Sequence, residues 1–150
     1  MQANGTLETN ETVLSSGERQ FIADFENLTL DPATFDHRAH VYLTWLYLRD
    51  DSLSEEQALE RVGDGLRSFA AHHGAHGKYS QTITVALVRL IAAAYRRNPG
   101  VDFDRFMRDS PELAGDFREL LGRHYSDEVL FSANAQEKFM EPDLVPFHAN

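Results

Sequence analysis

The chain has 150 residues, enough for one compact domain, and its 42% hydrophobic and 25% charged content lies near the globular norm. Fourteen Lys and Arg against 24 Asp and Glu give a net charge of -10, which repels phosphate backbones; with no basic patch in view, nucleic-acid binding is not expected. The absence of cysteine removes disulfides, Cys-ligated zinc, iron–sulfur clusters and a thiol nucleophile, and the longest apolar run, VALVRLIAAAY, is broken by Arg89 and falls short of the roughly 20 residues of a membrane span.

Residues 1–14 are polar and acidic, without the basic and apolar blocks of a signal peptide, and read as a disordered leader ahead of a single domain over 15–150. The expected compartment is the cytoplasm. Ser15 and Glu18 have capping-box spacing, and Phe21, Ile22, Phe25 and Leu28 repeat as one helical face after them. Pro32 breaks the chain, and Thr34 or Asp36 starts a second helix that runs to about Arg49. Because nearly every residue from Val41 to Leu48 is apolar or aromatic, this helix is expected at the centre of the fold. Ser54 and Gln57 form another capping box, opening a third helix with the stripe Leu59, Val62, Leu66, Phe69 and Ala70, which stops in the glycines of HHGAHGK.

A fourth helix is expected from Tyr79 to Arg97, its Ala-rich continuation outweighing the β-branched TITV. A short helix follows over Phe103 to Met107. Ser110-Pro111-Glu112 then supplies an N-cap, a first-turn proline and an acidic first turn for a helix carrying Leu113, Phe117, Leu120, Leu121 and His124. Short helical segments continue from Ser126 to Phe139, and EPDLVPF reads as an extended tail on the body. The fold class is therefore all-α: a single-domain bundle of five or six helices with a leader and a tail.

His37 and His40 stand three apart, so both imidazoles share one side of the second helix, and Thr44 continues that side. Two such histidines are half of a metal site or a pair of proton carriers; they are also a spacing that seven histidines reach by chance. The pair would hold a divalent metal as cofactor if any is bound. In KYSQTIT, Ser80 and Thr84 share a helix face beside Tyr79 and Gln81, either lining a polar pocket or, for Ser80, simply capping. The three histidines of AHHGAHGK read as a solvated helix end rather than an organised metal loop. His124, on an apolar stripe, reads as a core histidine. Trp45 belongs to the core or to an aromatic wall around a pocket.

FDHRAHVYLTWLYLRD, LRSFAAHHGAHGKYSQTIT and the closing EPDL resemble, in order and spacing, a family of small bacterial all-helical proteins. Its first motif is similar to Phe35, His37, His40 and Trp45, its second to Lys78, Tyr79, Thr82, Ile83 and Thr84. The family has histidine where this chain has Ser80, and often glutamate at the position of Gln81. The resemblance implies a three-histidine metal site in such relatives, one ligand of which is replaced here, so that this site either binds a ligand without metal or recruits Glu141 or Asp143. It names no reaction.

The leading expectation is a small enzyme or ligand-binding protein with a polar pocket between the second and fourth helices. His37, His40 and Tyr79 would be its chemical groups; Thr44, Trp45, Ser80, Gln81, Thr84 and Asp143 would hold a small molecule, with the tail closing the pocket. The alternatives are a pseudoenzyme that lost its metal ligand at Ser80, and an interaction module or homodimer using an apolar patch at Phe131, Phe139 and Phe147.

Overall fold

Three helices build the body. The computed structural model describes residues 14–147, so the leader expected over the first residues lies almost wholly outside them. Eight α-helices and two 3-10 turns make up the regular structure, and no strand occurs among the described residues. They are α1 (Ser16–Glu26), α2 (His37–Arg49), α3 (Glu55–His72), α4 (Gln81–Arg97), α5 (Phe103–Asp109), α6 (Phe117–Leu121), α7 (Asp127–Leu130) and α8 (Ala133–Glu137). Helices α2, α3 and α4 pack on one another; α1 covers α2 and α3, while α6 and α8 cover α4.

Local chemistry sets the helix starts. The capping boxes at Ser15 and Ser54 are both formed, each hydroxyl accepting the N–H of the third helical residue while that residue's side chain accepts the cap's own N–H. Asp36 caps α2 through the N–H of Ala39, and Ser80 caps α4 through that of Ile83, so α4 begins two residues later than the apolar pattern suggests. The helix expected to run on from Pro111 is broken: Pro111–Leu113 is a 3-10 turn, and Asp116 then caps a separate α6. Ala114-Gly115 offers no side chain to bury there, and the Asp116 carboxylate competes for backbone N–H groups. Ser126 and Ser132 restart the chain in the same way for α7 and α8, so two further short helices replace a vague helical region.

Helix α2 is central, as its composition implies. Leu43 and Leu46 are fully buried and Trp45 is 2% exposed; each such side chain contributes roughly 2 kcal/mol relative to exposure. One side of α2 joins Ile91, Phe106 and Leu113, the other joins Phe25, Val62 and Val88. A third cluster, of Ala86, Leu121, Tyr125 and Leu130, lies behind α4.

The tail lies along this last side, held mainly by its backbone. The Thr82 hydroxyl donates to the Lys138 carbonyl and accepts from the Met140 N–H, both at 2.9 Å, and Tyr125 donates to the Met140 carbonyl at 2.6 Å. His124, half-buried, donates from Nδ1 to the Val145 carbonyl at 2.8 Å and packs on Phe147. No helix among the described residues is long and apolar enough to cross a membrane.

Candidate functional site

The starts of α2 and α4 and the end of α3 surround a cavity of about 600 Å³. Residues at helical spacing line it in register: His37, His40, Val41 and Thr44 from α2, Thr84, Val88 and Ile91 from α4, and Val62, Leu66, Phe69 and Ala70 from α3. Since α2 and α4 both begin at one end, where α3 finishes, that end is polar, with Asp36, His73, Lys78 and Tyr79. The opposite end is apolar. Such a vessel, of this size and with a few polar groups on an apolar wall, is the usual form of a small-molecule site.

His37 and His40 differ in what holds them. His37 Nε2 lies 2.8 Å from the carbonyl oxygen of Leu113. A carbonyl only accepts, so Nε2 carries a proton, and in the neutral ring Nδ1 is the acceptor. The His40 ring has no hydrogen-bond partner among the described residues and packs on Phe35 with centroids 4.2 Å apart. Burial pushes its pKa down to about 4, the neighbouring His37 adds to that drop, and Asp36 opposes it. His40 is therefore a neutral imidazole throughout the physiological range.

Tyr79, Ser80 and Thr84 stand on the wall with the histidines. Ser80 is 8% exposed; besides capping α4 it donates to the Ala135 carbonyl at 3.4 Å. Tyr79 donates to Gln81 Oε1 at 2.7 Å and its ring carries the Arg67 guanidinium at 4.9 Å.

Three residues expected at the site are not on this wall. Trp45 turns into the cluster with Tyr42, Phe103 and Phe106 and lies under Arg49. Gln81 faces α3, where its oxygen accepts from Arg67 as well as Tyr79. Asp143 is exposed and accepts the Ser126 N–H at 2.9 Å, a bond that holds its carboxyl below the usual range. The tail thus runs along α4 and α6 to α7 rather than across the cavity mouth. Of the expected apolar patch only Phe131 is exposed, at 44%, beside Leu144 and Val145; Phe139 and Phe147 are half-buried.

Among the described residues no three His, Asp or Glu side chains come together as metal ligands. His37 and His40 share the cavity with His73, and His37 is already bonded through Nε2 to Leu113.

The residues missed from sequence are mostly apolar: Phe35, Leu66, Ala70, Ile83 and Leu87. Their helical period says only that they face inward. The carbonyl of Leu113, which orients His37, carries no side-chain signal at all. No protein-family model matches the chain, and neither a curated protein nor a solved structure does.

Proposed function

We propose that the chain is a cytoplasmic small-molecule protein that takes an organic ligand into the cavity between α2, α3 and α4, with His40 as its proton-handling group. The observation that carries this reading is a neutral imidazole with no hydrogen-bond partner among the described residues, set in the wall of a cavity of about 600 Å³. A desolvated histidine is always in its proton-accepting form, though at the expense of basicity. It suits a ligand whose acidic proton is presented directly to it. His37, anchored by Leu113, is the second imidazole, positioned to relay or orient. Two imidazoles make only half of a metal site, so the reading gives His40 a proton rather than a divalent ion.

Histidine-selective ¹³Cε1 labelling tests the proposal. Indole, 2-naphthol and naphthalene, added in turn, should shift the His40 resonance in a saturable way. Ala70→Phe, which adds a ring to the cavity wall, should abolish the shift while leaving the folded spectrum intact. Absence of any saturable shift with all three probes removes the reading.

A further inference from the structure

The polar atoms on the cavity wall are unequally committed. His37 has its Nε2 proton on the Leu113 carbonyl at 2.8 Å. Thr44 donates its hydroxyl proton to the His40 carbonyl one turn back at 3.0 Å. Ser80 donates to Ala135 at 3.4 Å while accepting from Ile83 at 3.2 Å. Tyr79 donates to Gln81 Oε1 at 2.7 Å, and because Arg67 donates to that same oxygen at 2.9 Å, the amide must present its carbonyl there. In each case the acceptor is a carbonyl, so the direction of the bond is not in question.

Four wall residues have thereby turned a proton away and kept lone pairs. Among the hydroxyls and the histidine pair of the wall only Thr84 and His40 retain uncommitted protons, and Asp36, His73 and Lys78 add a carboxylate, an imidazole and an ammonium at the polar end. Even with the three protons of Lys78 counted, lone pairs outnumber protons on the wall, and the remaining lining is hydrocarbon.

We infer that the ligand presents hydrogen-bond donors, an O–H or N–H on an apolar frame, as in a phenol, an indole or an aliphatic alcohol. This rests on the reading of the cavity as a ligand site and names the ligand's chemical class. A wall of this kind matches a donor and leaves an acceptor-only molecule facing lone pairs. The donor-bearing ligand is the one whose polar group finds a partner while its frame meets hydrocarbon.

Matched pairs that differ only by methylation of the donor test the inference: 2-naphthol against 2-methoxynaphthalene, and indole against 1-methylindole. Dissociation constants are read from the saturable ¹³C shift of His40 in the full-length protein. The donor-bearing member should bind at least about tenfold tighter in both pairs, the usual scale for a buried polar group left unpaired. Thr44→Val, which removes one acceptor while keeping the shape, should shrink that ratio. Equal binding within both pairs, or tighter binding of the methylated members, overturns the inference and leaves the cavity as a ligand site. No saturable shift with any of the four overturns both.

Discussion

Lowering the pH acts on His40 through its burial, and this is the sharpest test of the site's electrostatics. In the unfolded chain its imidazole titrates near its ordinary 6.5; in the folded protein it does so at about 4. Between those values the unfolded state binds a proton that the native state does not, so acid favours unfolding. The contribution is fully present above pH ~6.5 and is lost as the pH falls through the window toward 4. Each unit of difference is worth about 1.36 kcal/mol, which makes the complete loss roughly 3 kcal/mol, of which about 2 kcal/mol has gone by pH ~5. The neighbouring groups do not reverse the sign: His37 works in the same direction, Asp36 opposes it and is the smallest of the three causes. Lys78, also around the cavity, is cationic, which cannot help an imidazolium form. Urea unfolding followed by the fluorescence of the buried Trp45 gives the stability at a series of pH values, for wild type and His40→Leu. Other histidines and the carboxylates titrate in both proteins, so the difference between the two curves isolates His40. It should change by about 2 kcal/mol between pH ~8 and pH ~5. Parallel curves, or a His40 resonance titrating near its ordinary value, refute the assignment of a neutral, desolvated ring.

Two further substitutions probe the packing that shapes the cavity. A Cβ at Gly65 would lie 2.3 Å from Cε2 and 2.5 Å from Cζ of Phe25, a fully buried ring flanked by Phe35 and Phe69. Gly65→Ala should therefore destabilise by about 1–3 kcal/mol through overpacking, in spite of the ~1 kcal/mol by which alanine favours a helix; a neutral or stabilising result in urea unfolding contradicts that contact. Ser80→His adds an imidazole to the wall that holds His37 and His40. It should raise zinc affinity at least about tenfold by calorimetry and lower stability by about 1 kcal/mol through loss of the α4 cap, whereas unchanged zinc affinity means the three positions do not converge.

Legibility in the sequence follows how local each determinant is. Ser15 with Glu18, Ser54 with Gln57, Asp36 and Ser80 announce helix starts because capping is settled within four residues. The common side of His37, His40 and Thr44 follows from helical spacing alone. That Ser80 and Thr84 stand on the same cavity wall needed a guess about how two helices meet. Trp45, one position beyond Thr44, illustrates the limit: it is 2% exposed, and only the partners of α2 decide that its ring joins Phe103 and Phe106 rather than the cavity. Asp143 reads as a pocket group from its residue type and its place in EPDL, yet the route of its tail is decided by Thr82, Tyr125 and His124, residues far away in sequence that bind its backbone. The interruption at Ala114-Gly115 is a competition between a helix-weakening glycine and the Asp116 cap that a run of apolar periodicity hides.

The cavity itself is not the product of loose packing in general. The same helices close tightly elsewhere: Leu43, Leu46 and Ala86 are fully buried, and Val62 and Val88 are 1% and 2% exposed. Where the cavity opens, short side chains stand among its lining: Thr44, Ala70, Ser80 and Thr84. Larger apolar residues at Thr44 and Thr84 would add burial at little cost in helix formation. Instead the short side chains sit beside an imidazole that forgoes a partner and loses its ordinary basicity. Stability has been given up twice at one place, once in unfilled volume and once in a desolvated titratable ring. Both losses fall on the wall where the starts of α2 and α4 face each other, which is what a site built to receive a molecule requires and a structural core does not.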